Sequence, residues 1–433
     1  MINSASQMNF FQNLLSSLMS RSRKGGYFRS NSFGVLHKNI NKALESVMSK
    51  SGEVSSLVFA EHLSNLIEES DDKEFINFFD TVLEKYDIDE KALLRATNEY
   101  TKNKTQRNLE IISQLSEPGW RELFRRLNTI SEGTLKLVRM RERIRSLKKD
   151  SPNLQFFDRS LLILFKYWFN PSFLVLESID WTTPANILEK IIAYEAVHEI
   201  NSWDDLRARL APADRKCFAF FHPLMPDEPL IFVEVALTNN IPDSISEVIK
   251  IDRPITKEQD INTAVFYSIS NCQEGLSGIS FGNFLIRNVA HKLKKENDGL
   301  DKFVTLSPMP GFSKWLEKKS IDEYQDEDTL IKQVLVYLLE SDREDGLPND
   351  PVAKFHLGNG AVLERINLNS DLSLKGINQY DEKTIPIPTK NILYLSGTPF
   401  EAIQLGDFDN NNVYSWTYGD EQKAKYSWKG PRN

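Results

Sequence analysis

Thr263-Ala264-Val265-Phe266-Tyr267-Ser268-Ile269-Ser270-Asn271-Cys272-Gln273-Glu274-Gly275-Leu276-Ser277-Gly278-Ile279-Ser280-Phe281-Gly282-Asn283-Phe284-Leu285 is the stretch that decides the fold. Residues 263–269 form a β-branched and aromatic run, which predicts a strand. Gly275, Gly278 and Gly282 then free the backbone, and residues 284–294 carry apolar side chains at helical spacing. Strand, glycine-bearing loop and helix together present backbone N–H groups to an anion, with a favourable helix dipole behind them. Loops with three glycines are common, so the placement between strand and helix carries the weight of this reading.

Working downstream, residues 302–305 read as a strand that runs into Thr305-Leu306-Ser307-Pro308-Met309-Pro310-Gly311-Phe312, a proline-rich turn that fixes a serine. Asp350-Pro351-Val352-Ala353-Lys354-Phe355-His356-Leu357-Gly358-Asn359-Gly360 is a short apolar segment that projects one histidine beside a Gly/Asn turn. Upstream, residues 173–176, 217–221 and 230–237 read as strands, the last two joined by a hairpin-like connection at 222–229. Residues 184–195 read as a helix with Thr182 or Thr183 near its N-cap. Strands interleaved with helices indicate an α/β or α+β domain.

Before Phe169 the chain reads helical throughout: residues 60–69, 73–85, 90–102, 105–115, 119–128 and 133–149 show three- and four-residue apolar spacing. The last of these is markedly basic, with Lys136, Arg139, Arg141, Arg143, Arg145, Lys148 and Lys149. It either meets a nucleotide phosphate or forms a solvated face balanced by acidic neighbours, the usual fate of such a pattern.

A chain of 433 residues exceeds one ordinary core, so two domains are expected. Hydrophobic content of 40% and charged content of 26% are globular values, and no stretch approaches the roughly 20 apolar residues of a membrane span. A formal net charge of −8 gives no whole-molecule attraction to nucleic acid. The two cysteines, Cys217 and Cys272, suit a reducing cytosol and lack zinc-type spacing. Residues 1–44 contain no acid and many serines, a transit-peptide composition that would point to the mitochondrial matrix. Phe10, Phe11, Leu14, Leu15 and Leu18 also fit a first helix.

Several segments together carry a family resemblance. They are Glu122-Leu123-Phe124-Arg125-Arg126-Leu127-Asn128, Ile179-Asp180-Trp181-Thr182-Thr183-Pro184-Ala185-Asn186, Tyr194-Glu195-Ala196-Val197-His198-Glu199, Cys217-Phe218-Ala219-Phe220-Phe221-His222-Pro223 and Pro229-Leu230-Ile231-Phe232-Val233-Glu234-Val235. With the glycine loop and the Ser307 and His356 segments, they resemble bacterial-type malonyl-CoA decarboxylase across most of residues 10–379. The resemblance implies an N-terminal all-helical bundle domain (1–168) used for oligomerisation. It also implies a catalytic domain (169–379) with a mixed sheet like that of the GCN5-related acetyltransferases, whose glycine loop grips the CoA pyrophosphate.

The implied reaction, part of fatty acid metabolism, converts malonyl-CoA to acetyl-CoA and CO2. Ser307 engages the malonyl carboxylate, and His356 protonates the enolate, an imidazole being able to switch charge near neutrality. Ser277, Gly278, Ile279, Ser280, Phe281, Gly282 and Asn283 contact malonyl-CoA. Ser268 joins them as a pocket-lining candidate, although strand packing accounts for Tyr267 and Ser268 equally well. No metal or redox cofactor is implied, since CoA is part of the substrate and the thioester is the electron sink. The implied partners are malonyl-CoA, acetyl-CoA and further copies of the chain, with no nucleic acid and no membrane. Some family members carry an acid where this chain has Ser280.

Beside the resemblance stand blander readings. A serine before proline is usually a turn residue, and His198, His222 and His356 each fit a satisfied, partly buried histidine. A Ser-His hydrolase lacks its Gly-x-Ser-x-Gly elbow here. An inactive acyl-CoA-binding protein and a CoA-dependent acyltransferase remain as alternatives. Beyond Gln379 the decarboxylase pattern stops. Residues 385–400 and 413–422 resemble a superfamily 2 helicase-like fragment without a phosphate loop, so residues 380–433 are expected to be a divergent tail whose apolar run 392–395 can still pair as a strand.

Overall fold

The computed structural model describes residues 37–49, 53–149, 151–319, 327–339, 346–368, 370–371, 393–397, 414–416 and 426–428. The chain divides into two compact units. The first is Met1–Phe173 with His222–Pro226 and Gln273–Ile279, and the second is Leu174–Phe221, Asp227–Cys272 and Ser280–Asn433.

The first unit contains α1 (Ile40–Met48), α2 (Glu53–Glu69), α3 (Asp72–Tyr86), α4 (Glu90–Lys102), α5 (Gln106–Leu115), α6 (Gly119–Asn128), α7 (Gly133–Leu147) and α8 (Pro152–Trp168). Their starts follow local chemistry: Asp71, Asp89, Thr105 and Ser151 each accept a first-turn N–H, and Pro152 occupies the first turn of α8. The core is aromatic. Phe79 meets Phe157 at 4.8 Å between ring centroids, and Trp120 and Phe124 pack edge-on to Phe157. Helices α4 and α5 differ from the rest in burying no side chain, and Leu94 is 63% exposed.

The second unit contains β1 (Val175–Ile179), α9 (Ala185–Tyr194), α10 (Trp203–Leu210), β2 (Arg215–Phe221), β3 (Ile231–Thr238), α11 (Ile245–Ile249), β4 (Thr263–Asn271), α12 (Gly282–Glu296), β5 (Lys302–Pro308), α13 (Phe312–Lys318), α14 (Glu327–Leu339), α15 (Pro351–Gly358), β6 (Val362–Asn367) and β7 (Leu393–Gly397). Among the described residues seven strands form one mixed sheet in the order β1-β2-β3-β4-β5-β7-β6. A separate two-stranded ladder pairs β8 (Tyr414–Trp416) with β9 (Tyr426–Trp428). A helical N-terminal region followed by a mixed-sheet domain is the architecture expected from the sequence.

Two departures from regular pairing shape the middle of this sheet. The parallel ladder of β4 and β5 runs from Thr263↔Lys302 to Phe266↔Thr305, yet β4 continues to Asn271 and β5 to Pro308. On the opposite edge of β4 the register passes from Glu234↔Ser268 to Val235↔Phe266, which makes Tyr267 a bulge residue. The C-terminal halves of β4 and β5 therefore part. The ends of parallel strands at such an opening are where α/β sheets bind ligands.

Several local expectations need correction. Ser307 lies inside β5, not in a turn after it, because residues 306–308 pair with β7. The cap of α9 is Pro184, without a side-chain bond; Thr183 Oγ1 instead accepts the Asp180 N–H at 3.0 Å. Residues 393–395 of the apolar run do pair: β7 sits between β5 and β6. Residues 1–36 of the segment read as a transit peptide, the candidate first helix around 10–18, and most of the helicase-like tail lie outside the described residues, whereas residues 40–44 belong to α1.

Candidate active site

Ser307 and His356 meet although 48 residues separate them in sequence. Ser307 Oγ lies 3.1 Å from His356 Nε2 and 3.1 Å from Thr305 Oγ1, with the serine 5% and the histidine 6% exposed. With the Ser307 hydroxyl donating to Thr305, its oxygen accepts from Nε2–H of His356. Burial pushes the His356 pKa down to about 4, so the imidazole is neutral near neutral pH. That shift, caused by burial, runs against the expectation that His356 switches charge near neutrality.

Two contacts hold this pair. Asp350 caps α15, accepting the N–H groups of Val352 and Ala353 at 2.9 Å each, and Pro351 fills the first turn. Its other oxygen accepts Tyr337 Oη at 2.7 Å and the Gly311 N–H at 3.4 Å. This fully buried carboxylate therefore ties the helix that carries His356 to α14 and to the turn just after Ser307. The hydrophobic cluster of Met309, Phe312, Val334, Tyr337, Ala353 and Leu363 surrounds it. Gly282, at the start of α12, is the second contact. A Cβ there would lie 2.6 Å from the tip of the Phe355 ring, so any side chain at 282 would have to displace the residue preceding His356.

Ser268 is buried, and its hydroxyl donates to Glu195, whose Oε1 and Oε2 lie at 2.8 and 2.7 Å. Glu195 Oε1 also accepts the N–H groups of Val197 and His198, and Ser270 accepts the Ala196 N–H. Ser268 thus belongs to a buried hydrogen-bonded cluster beneath the opening of β4. Deeper in the sheet, Glu234 pairs with Arg209 at 3.0 Å, and burial pushes its carboxyl up to about 7.

The glycine loop is less uniform than its sequence. Gly278 and Ser280 are exposed, Ser277, Ile279 and Asn283 are half-buried, and Phe281 and Gly282 are buried. Helix α12 has no side-chain cap, and Gly278 takes φ +91°. The N–H groups of Ser277 and Ile279 are already used by the carbonyls of Glu274 and Leu276. His198 and His222 are buried, as expected. Cys217 and Cys272 are buried free thiols.

Sequence reasoning missed Thr305, Tyr337, Asp350 and Glu195 as site neighbours. Only Asp350 had a readable signal, the Asp-Pro pair that starts a helix.

Comparison with known proteins gives the same answer from several directions. The malonyl-CoA decarboxylase C-terminal domain model matches residues 172–331 and 322–382, and the N-terminal domain model matches 86–169. The matches stop at 382, so the helicase-like resemblance of the tail draws no support from them. Malonyl-CoA decarboxylase, mitochondrial, of Anser anser anser is 34% identical over 311 residues, 60% of this chain. The chain spans 62% of that relative's length. A crystal structure of malonyl-CoA decarboxylase from Rhodopseudomonas palustris is 38% identical with a TM-score of 0.77, covering 88% of this chain and 97% of that one. One from Agrobacterium vitis is 39% identical with a TM-score of 0.73, covering 84% and 96%. On the two domain models and these relatives, the chain belongs to the malonyl-CoA decarboxylase family.

Proposed function

We propose that this protein decarboxylates malonyl-CoA to acetyl-CoA and CO2, with Ser307 and His356 as its working groups. The buried contact of Ser307 Oγ with His356 Nε2 at the parted end of β5, in a chain of this family, carries the reading. Ser307 donates its hydroxyl to the malonyl carboxylate. The bond between that carboxyl and the α-carbon breaks, CO2 leaves, and the electron pair moves into the thioester to form an enolate. His356 then delivers a proton to carbon.

A neutral imidazole is a poor proton donor, and the low pKa of His356 has to rise. The arriving malonyl anion supplies that rise, because a nearby negative charge favours imidazolium. His356 takes a proton from solvent as substrate binds and passes it to the enolate, a far stronger base, after CO2 departs. Ser277, Gly278, Ser280 and Asn283, the more accessible loop positions, contact the CoA portion; Ile279 packs beside them, while Phe281 and Gly282 shape the loop from within. Ser268 acts through Glu195 by fixing β4.

The reading also includes homo-oligomer formation through the helical unit, which the unburied faces of α4 and α5 support. It includes a cytoplasmic or matrix compartment; among the described residues no helix is long and apolar enough to cross a membrane. Purified protein should release CO2 and acetyl-CoA in equal amounts from malonyl-CoA. Free CoA release instead would indicate a hydrolase, acyl transfer to an amine an acyltransferase, and CoA binding without turnover an inactive binder.

A further inference from the structure

Arg141 belongs to the basic helix α7, yet it neither faces solvent nor stands ready for a phosphate. It is 1% exposed. Its Nη1 donates to the carbonyl oxygens of Gly275 at 2.7 Å and Ser277 at 2.9 Å, both in the segment that leads into the glycine loop. Nε and Nη2 bind Asp158 Oδ1 at 3.0 and 2.9 Å, and Asp158 on α8 also takes Lys148 at 2.8 Å. One turn along α7, Arg145 binds Glu274 at 3.0 Å. The packing is close: a Cβ on Gly275 would lie 2.0 Å from the Val138 carbonyl oxygen.

This geometry fixes where the loop's donors point. In a trans peptide the C=O and the following N–H point in opposite directions. Holding the Gly275 and Ser277 carbonyls on the guanidinium turns the N–H groups of Leu276 and Gly278 away from it. The Leu276 N–H is used by Gln273 O at 2.9 Å. The Gly278 N–H therefore faces the side opposite Arg141, at an exposed position. A fixed positive charge on the carbonyl side also raises the potential that an anion meets on the N–H side.

We propose that Arg141, oriented by Asp158, is the positioning residue of the loop. It holds the peptide planes at 275–278 so that the Gly278 N–H is presented to a diphosphate, the pyrophosphate of CoA under the function proposed above, on which this inference rests. A lysine cannot replace it, since one ammonium lacks the planar fork that reaches two carbonyls and a carboxylate together.

Full-length wild type, Arg141→Lys and Arg141→Met are titrated calorimetrically with CoA and with pantetheine, which lacks the nucleotide diphosphate. Both variants should bind CoA about tenfold or more weakly, with pantetheine affinity changed less than about twofold. In turnover the loss should appear in KM for malonyl-CoA and leave kcat nearly unchanged. If the Arg141 variants do not fold, Asp158→Asn, which retains the guanidinium but loosens it, should show the same CoA-selective loss. CoA affinity equal to wild type, or CoA and pantetheine weakened alike, overturns the proposal. A wild type that binds no CoA overturns the underlying reading instead.

Discussion

Asp350→Ala removes the carboxylate that joins the two sides of the candidate site. Losing the cap of α15 costs about 1–2 kcal/mol. Losing the bond that the buried Tyr337 hydroxyl donates to Asp350 at 2.7 Å costs about 1–3 kcal/mol more. Together these give about 3 kcal/mol, a large share of the ~5–15 kcal/mol that holds a domain together. The loss is local, because both contacts serve α15 and its neighbours. Hydrogen exchange read by mass spectrometry should show the amides of α15 exchanging about a hundredfold faster, with α3 in the helical unit unchanged. Asp350→Asn keeps one capping oxygen and should cost about 1 kcal/mol. Loosening α15 separates His356 from Ser307, so kcat should fall with the exchange protection. Unchanged exchange in α15, or an equal acceleration in α3, would refute the reasoning that Asp350 is the tie between them.

Other consequences follow from burial and close approach. His356 has a folded pKa of about 4 and an unfolded one of about 6.5, so the unfolded chain takes a proton first as pH falls from 6.5 to 4. Stability is therefore lost in that window and is intact above it. His356→Gln should gain about 2 kcal/mol relative to wild type in urea unfolding on going from about pH 7.5 to about pH 5. Glu234, with its raised pKa of about 7, acts with opposite sign by costing stability as pH rises, but it is common to both proteins and cancels in the difference. A flat difference between the two proteins would sink the assignment of His356 as a buried neutral group. Gly282→Ala places a Cβ 2.6 Å from the Phe355 ring and should lower kcat about tenfold or more; Phe355→Leu in the same chain should restore part of it. Failure of that rescue would show that the approach of α12 to Phe355 does not position His356.

Much of this architecture was legible because its signals are local. The β-branched and aromatic runs of β2, β3 and β4, and the apolar spacing of the N-terminal helices, need no partner to be read. Ser307 was harder. Pro308 and Pro310 read as a turn, but Pro308 is the last residue of β5, and the strand that pairs with residues 306–308 arrives only at 393–397. A pairing so distant leaves no trace in a sequence window. Asp350-Pro351 did announce a helix start, although the segment's shortness and its glycines drew attention to a turn instead. The basic face of α7 shows the limit of charge patterning: spacing cannot distinguish a solvated arginine from Arg141, whose partners are Asp158 and two carbonyls more than a hundred residues away. The roles of Ser307 and His356 came from resemblance; neither residue type at its position signals chemistry without it.

The central claim is decarboxylation through His356. Purified wild type and His356→Ala should be incubated with malonyl-CoA while acetyl-CoA and CO2 are measured together. Wild type should release both in equal amounts, and the variant should lose turnover while still binding malonyl-CoA. Turnover retained without His356, or no decarboxylation by a folded wild type that binds the substrate, would contradict that claim.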